Sequence, residues 1–216
     1  LLGGWRDVGV MLPNLRALPL SMLAVWRLGK VPAILNYSVG VATLQACCEV
    51  ANLTKIITSR EFLKKIKLDP AEIESRGLKL IYLDDVRRRI GALDRLIALL
   101  GAKTDPTLPY RTIAAEDTAV VLFTSGSEGV PKGVELTHGN IMANIRQVTA
   151  IFDIKDDDRF FNSLPMFHSF GLTAATLLPL VRGLYSFVYP SPLHYRVVPT
   201  AFYNMDCTVM FGTNTF

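Results

Sequence analysis

The run Ala119-Val120-Val121-Leu122-Phe123, followed directly by Thr124-Ser125-Gly126-Ser127-Glu128-Gly129-Val130-Pro131-Lys132-Gly133, decides how this chain folds. Five consecutive apolar residues, partly β-branched, form the pattern of a strand buried on both faces, as in a parallel sheet covered by helices. The segment that leaves this strand carries three glycines, the hydroxyls of Thr124, Ser125 and Ser127, and a single lysine, Lys132. Glycine permits positive φ and close backbone approach, so that successive N–H groups can converge on an anion. The hydroxyls add donors, and the lysine adds a mobile positive charge suited to phosphate oxygens. The stretch reads as a polyphosphate cradle anchored to a rigid strand.

A Walker A loop requires Gly, four residues, then Gly-Lys and a Ser or Thr, and it opens a helix. Counted from Gly126, Lys132 stands at the lysine position, but Pro131 replaces the preceding glycine and Gly133 replaces the hydroxyl residue. The residues that follow, Val134-Glu135-Leu136, alternate as a strand does. Strand, loop, strand is therefore expected, which removes the kinase and GTPase readings and leaves a ligand-free Gly/Ser hairpin as the bland alternative.

Working outward, apolar patterning alternates between strand and helix. Residues 7–12, 31–35, 55–58 and 78–83 read as strands, and 15–28, 39–50 and 61–67 as helices, the first of them ended by Gly29. That succession predicts parallel strands with crossover helices, hence an α/β fold. Residues 88–102 carry Ile90, Leu93, Ile97 and Leu100 at helical spacing, and the Pro- and Thr-rich stretch 104–112 reads as a linker. The expected organisation is a first α/β subdomain at 1–103, a linker at 104–116, and an α/β unit at 117–216 that contains the loop. Thr137 is expected to cap a helix bearing Ile141, Ile145, Val148 and Phe152, and 160–164 is expected to be a strand.

Composition excludes several classes. The chain has 216 residues, half of them hydrophobic, enough to bury a sizeable core. Its 23 basic and 19 acidic residues leave a net charge of +4, too mild and dispersed for a nucleic-acid partner. Lys64, Lys65 and Lys67, and Arg87, Arg88 and Arg89, form small clusters that either meet an acidic carrier protein or anionic lipid or are simply solvated helix faces. Cys47, Cys48 and Cys207 match neither a metal-site spacing nor a disulfide framework, which fits a reducing cytoplasm. The most apolar stretch, 17–26, is about half the ~20 residues of a spanning helix and contains Pro19. The N-terminus has no pattern of a signal peptide.

A second motif, Leu164-Pro165-Met166-Phe167-His168-Ser169-Phe170-Gly171, follows the loop in order. Together the two resemble the signatures of the adenylate-forming (AMP-binding) superfamily of acyl-CoA synthetases, luciferases and peptide-synthetase adenylation domains. Ser127-Glu128-Gly129, Tyr189-Pro190-Ser191-Pro192-Leu193-His194-Tyr195-Arg196 and Val209-Met210-Phe211-Gly212-Thr213-Asn214-Thr215-Phe216 are similar, within that superfamily, to the acyl-acyl carrier protein synthetase part of the bifunctional bacterial Aas proteins, which also contain a 2-acylglycerophosphoethanolamine acyltransferase. Val10-Met11-Leu12-Pro13-Asn14 and Pro32-Ala33-Ile34-Leu35-Asn36-Tyr37 share that resemblance.

The resemblance implies a partial N-terminal domain of the adenylate-forming fold, with a mostly parallel sheet and crossover helices. It implies ATP and Mg2+ as cofactors, with Thr124, Ser125, Gly126, Ser127, Glu128, Gly129 and Lys132 at the nucleotide phosphates. It places Phe167, His168, Gly212 and Thr213 in an acyl pocket, His168 positioning the carboxylate and adenylate. On residues alone, His168 in its aromatic setting reads as a packing residue, and His138 and His194 receive no catalytic role. The apolar stretch 172–181 either lines an acyl tunnel or fills the core. The implied reaction joins a fatty acid to AMP and passes the acyl group to acyl carrier protein, or to CoA in an ordinary long-chain acyl-CoA synthetase, and in the first case onward to a lysophospholipid. A phosphate-binding or carrier-docking module without catalysis is the alternative of another class. The sequence ends before the superfamily's aromatic-Gly-x-Thr-Glu motif, ribose-binding aspartate and C-terminal lysine. The expectation is therefore a fragment that is inactive alone, from a parent on the cytoplasmic side of the inner membrane.

Overall fold

The computed structural model describes residues 7–104, 113–126 and 129–214. A six-stranded sheet has the order β4-β3-β1-β2-β5-β6, built from β1 (Asp7–Val10), β2 (Val31–Ile34), β3 (Lys55–Thr58), β4 (Lys79–Tyr82), β5 (Thr118–Ser125) and β6 (Pro131–Thr137). The first five are mutually parallel and β6 is antiparallel to β5. The crossovers are α1 (Ala17–Arg27), α2 (Val41–Val50), α3 (Arg60–Ile66) with α4 (Pro70–Glu74), and α5 (Leu83–Arg89) with α6 (Ala92–Thr104). A second, all-parallel sheet has the order β8-β7-β9, from β7 (Arg159–Asn162), β8 (Tyr185–Val188) and β9 (Val209–Met210). It is preceded by α7 (His138–Ile151). Between its strands run α8 (Ser169–Leu172), a π-helical turn (Thr173–Leu177), α9 (Leu178–Arg182) and α10 (Val198–Asn204).

The expected α/β architecture with a mostly parallel sheet is what forms. The first sheet runs across the region expected to divide the chain, because β5 pairs with β2 in the register Ala33↔Val121 and Ile34↔Leu122. Residues 105–112, most of the expected linker, lie outside the described residues. The helix expected at 88–102 is two helices broken at Ile90 and Gly91, where the Asp94 carboxylate accepts a 2.8 Å bond from the Gly91 N–H. Helix α4 went unforeseen, although Asp69 is a clear start signal. Its carboxylate accepts from the Ala71 N–H at 2.9 Å, and Pro70 occupies the first turn, where its missing N–H costs nothing.

Alternation along the central strands fills both faces of the first sheet. Val8, Val10, Val120 and Leu122 point into a core shared with Leu18, Met22 and Val25 of α1 and Ile141 and Ile145 of α7. Val121, Ala33 and Ile56 point the other way, onto Leu44, Cys47 and Cys48 of α2 and Phe62 and Leu63 of α3. All three cysteines are free and buried, and burial with the neighbouring Cys47 and Glu49 pushes the Cys48 thiol up to about 12. They serve as small apolar core residues. The Thr137 cap forms as expected, in reciprocal 3.0 Å bonds between the Thr137 hydroxyl and Asn140 N–H and between the Asn140 side chain and Thr137 N–H.

One tie holds α1 to β5. The Trp26 indole N–H donates to the Ala119 carbonyl at 2.6 Å, and Ala119 is fully buried. A net hydrogen bond contributes about 1 kcal/mol, but orphaning a buried carbonyl costs about 1–3 kcal/mol. Trp26→Phe keeps the apolar bulk and is expected to lower the unfolding free energy by about 1–3 kcal/mol, measured as a shifted urea midpoint by circular dichroism at unchanged slope.

Candidate functional site

In the parallel strands of both sheets the chain leaves at the C-terminal edge. From the first sheet emerge residues 11–14, 35–38, 59–60 and the loop beginning at Gly126; from the second emerge 163–168, 189–194 and 211–214. These two edges meet. The buried Asn14 side chain donates to the Tyr189 carbonyl at 2.8 Å, and the Tyr37 ring meets the Phe167 ring edge-on at 5.4 Å. A crevice outside the carboxyl ends of parallel strands is where α/β sheets bind their ligands.

The expected phosphate cradle is the tip of the β5–β6 hairpin. Thr124 pairs across with Lys132 and Ser125 with Pro131, so the lysine and the two hydroxyl residues sit within two rungs of one ladder. Thr124, Ser125 and Lys132 are exposed. The Gly126 N–H donates to the Val130 carbonyl at 3.1 Å and the Gly129 N–H to the Gly126 carbonyl at 3.0 Å. Two of the loop's N–H groups are thus engaged within the loop, and what it presents among the described residues is the hydroxyl pair and the ammonium. Gly126 is obligatory in this turn, since a Cβ there would overlap the Val130 carbonyl oxygen. Ser127 and Glu128 lie outside the described residues.

Phe167 and His168 are held by a tight turn. The His168 N–H donates to the Pro165 carbonyl at 3.1 Å, and Gly171 packs so closely beneath that a Cβ would overlap the same carbonyl. Further back, a buried relay steadies the turn: Asn162 Nδ2 donates to Thr176 Oγ1 at 2.7 Å, which donates to the Gly171 carbonyl at 2.8 Å. This relay, set on the π-helical turn, escaped sequence reading. Its only signal was two threonines in the apolar stretch 172–181, whose residues Leu172 to Leu178 are all buried. That part of the stretch is core, although Thr173 also lines a cavity of about 300 Å³ with Ser169, Phe170, Leu136, Asn140 and Asn144.

Phe167 is buried and its ring lies 4.7 Å from that of His168, which opens to solvent. Partial burial pushes the His168 imidazole below its ordinary value, which favours the neutral form, able to donate from one nitrogen and accept at the other. Gly212 and Thr213 are exposed beyond β9. They are carried towards α8 by Phe211, whose ring packs 5.6 Å from Phe170 and 5.9 Å from Phe160. The structure thus gathers Phe167, His168, Gly212 and Thr213 at one end of the second sheet. No hydrogen bond or ion pair among the described residues joins them to the hairpin tip.

His138 begins α7 and packs 5.5 Å from Trp26, and His194 Nδ1 lies 3.1 Å from the Tyr189 hydroxyl. A second cavity, about 530 Å³, opens between the two edges; Tyr37, Phe62, Lys65, Arg87 and His194 are among its walls.

The profile of the family described as AMP-binding enzyme matches residues 3–216. A feruloyl-CoA synthase from Amycolatopsis sp is 29% identical over 188 residues, 83% of this chain and 37% of the relative. A long-chain-fatty-acid–AMP ligase from Mycolicibacterium smegmatis is 37% identical over 73 residues, 34% of this chain and 12% of the relative. Among solved structures, O-succinylbenzoate coenzyme A synthetase from Bacillus subtilis, in complex with AMP, superposes with a TM-score of 0.79 at 19% identity, over 97% of this chain and 49% of that one. A fatty acyl-adenylate ligase from L. pneumophila, in complex with acyl adenylate and pyrophosphate, gives 0.71 at 21%, over 96% and 35%. The chain therefore spans a third to a half of the length of the relatives it matches over most of its own.

Burial lowers the pKa of both His138 and His168 from 6.5, the nearby Asp117 partly opposing this at His138. Below 6.5 the unfolded chain then binds more protons than the folded one, so the two histidines cost no stability above that pH and an increasing amount as pH falls through it. Asp85 and Asp158, held below 3.8 chiefly by hydrogen bonds from Arg60 and Thr208, act only in more acid solution. Lowering the pH from about 7.5 to about 5.5 is expected to lower the Tm, and the double variant His138→Gln/His168→Gln to flatten that dependence. A wild-type Tm indifferent to this window would remove burial as the cause.

Proposed function

Because the chain belongs to the AMP-binding enzyme family, we propose that it supplies the pyrophosphate grip and one wall of the acyl pocket of an ATP-dependent acyl-activating ligase. The observation that carries this reading is the Thr124–Lys132 pairing at the tip of a hairpin rooted in a doubly buried strand. In the first reaction a carboxylate oxygen attacks the α-phosphorus of ATP, the bond to the bridging oxygen breaks, and pyrophosphate leaves. Lys132 and the hydroxyls of Thr124 and Ser125 hold the β- and γ-phosphates while negative charge builds on that leaving group. The donor set fits a triphosphate: Lys132 and Thr124 are exposed on one face of the ladder, and Ser125 is exposed on the other at the very end of the strand. Magnesium, when bound with the nucleotide, neutralises phosphate charge, and the Thr124 or Ser125 hydroxyl is an oxygen ligand of the kind it accepts. His168, whose neutral form burial favours, hydrogen-bonds the carboxylate or adenylate without acting as a nucleophile. Phe167 and the Gly212–Thr213 segment bound the acyl group.

A thiol sulfur then attacks the acyl carbon and AMP departs. We assign the acyl substrate to the fatty acids and the thiol to acyl carrier protein, with the acyl group destined for a lysophospholipid in an Aas-type parent. The support is the run of residues Tyr189 to Arg196 and Val209 to Phe216, together with Ser127-Glu128-Gly129. The similarity to a CoA synthase over 83% of this chain favours a second reading, an ordinary acyl-CoA synthetase with CoA as acceptor. Incubating the natural full-length protein with ATP, palmitate and either acyl carrier protein or CoA separates the two by which thioester forms.

In that protein, Lys132→Ala is expected to lower fatty-acid-dependent ATP–pyrophosphate exchange on the order of 100-fold, the size of effect seen when one charge-stabilising donor is removed. Gly126→Ala, which removes no charge but forces the loop open, is expected to lower it too. Exchange unchanged in both variants would rule out the loop as the pyrophosphate grip and leave a module that binds phosphate or a carrier without adenylation.

A further inference from the structure

Residues 87–100, the end of α5 and most of α6, stand clear of both cores, whereas Leu83 at the start of α5 packs against one of them. No residue of α5 is buried, and every residue from Arg87 to Leu100 is exposed. The segment is nevertheless rich in leucine and isoleucine: Ile90, Leu93, Leu96, Ile97, Leu99 and Leu100 each keep between 43% and 68% of their surface in water. With 3.6 residues per turn, Leu93, Leu96, Ile97 and Leu100 share one side of α6, while Asp94 and Arg95 fall on the other. A 13-residue helix is marginal in water without a partner for its apolar side. A contiguous apolar face of this kind marks an interaction surface.

Charge selects the partner. Arg87, Arg88 and Arg89 close α5 immediately before the apolar helix, and Arg95 lies within it. The carboxylates nearest to them are already engaged. Asp84 accepts from the Arg60 N–H at 2.8 Å, Asp85 takes both nitrogens of the Arg60 guanidinium at 2.7 and 2.8 Å, and Asp94 caps Gly91. None of these four arginines forms an ion pair within 4 Å among the described residues, although Arg88 and Arg89 are near enough to Asp85 to help lower its carboxyl. Leucines on one side with arginines beside them are the composition of a helix lying in the plane of a membrane surface.

We propose that α5 and α6 dock this chain on an anionic phospholipid bilayer, the leucines entering the boundary between headgroups and acyl chains and the arginines meeting headgroup phosphates. The proposal is independent of the nucleotide loop, which lies on other elements. It needs no spanning segment, and among the described residues no helix is long and apolar enough to cross a membrane.

The test is flotation of the chain with vesicles of phosphatidylethanolamine and phosphatidylglycerol (7:3), against vesicles of phosphatidylcholine alone. The chain is expected to float with the anionic vesicles only, and less so as salt rises. Arg87→Ala/Arg88→Ala/Arg89→Ala is expected to weaken partition about 100-fold, taking each arginine at about fivefold. Leu93→Glu/Leu100→Glu should abolish it, and since both positions are exposed the far-UV circular dichroism of that variant should keep its sheet and helix signal. Equal flotation of wild type and both variants, or none with anionic vesicles, overturns the proposal. So does a wild-type dimer that Leu93→Glu/Leu100→Glu dissociates without any vesicle binding, which would give the face to a second copy of the chain.

Discussion

Burial of β5 on both faces is the constraint from which the rest follows. Ala119, Val120, Val121 and Leu122 are each at most 4% exposed, so the strand lies between two helical layers, with β2 on one side and β6 on the other. A fully buried aliphatic side chain contributes about 1.5–3 kcal/mol, whereas the hydroxyls and ammonium at the strand's end contribute little to folding. The stable part of the chain therefore fixes the position of the unstable part. The hairpin tip inherits its geometry from the buried residues of the strand behind it.

The second sheet supplies the other half of the candidate site by the same logic. Phe160 and Phe161 are both buried, but they face opposite ways: the first packs against Phe211 and the main core, the second against Phe187, Tyr189 and Phe202. Between them they set where the segments after β7, β8 and β9 emerge. The Asn14–Tyr189 bond and the Tyr37–Phe167 contact then bring these segments to the first sheet. Asn14 and Tyr37 lie in the loops that follow β1 and β2, so the two halves of the crevice are coupled through one hydrogen bond and one aromatic contact.

Much of this was legible in the sequence. The strands at 31–35 and 55–58, the helix capped by Thr137 and the hairpin around the glycine loop follow from local patterns whose physical cause is local. What escaped depends on distant partners. The polar relay from Asn162 through Thr176 to Gly171 has no sequence spacing that announces it, because its geometry exists only once β7 and the π-helical turn are packed. The closed state of the Gly126 and Gly129 N–H groups was hidden for another reason: glycine allows both an open anion nest and a hydrogen-bonded turn, and composition does not choose between them. The break of the 88–102 helix at Gly91 is visible in principle, since glycine is an accepted N-cap and Asp94 is an acidic residue in the first turn that follows. It was outweighed by an apolar period running across it.

The pairing of Ile34 with Leu122 also bears on how the chain assembles. Strands β1 to β4 are joined by single crossovers and meet neighbours close in sequence, and β5 with β6 forms a hairpin from contiguous residues. The β2–β5 rung alone unites these two locally formed pieces within the sheet, across everything from α2 to α6. Closing so long a loop costs entropy that grows only slowly with its length, so the join is thermodynamically mild but kinetically late. On a ribosome the first four strands would wait with β2 as a bare apolar edge until β5 emerged, and that edge is the point at which an unfinished chain is most open to a chaperone or to a mispaired strand.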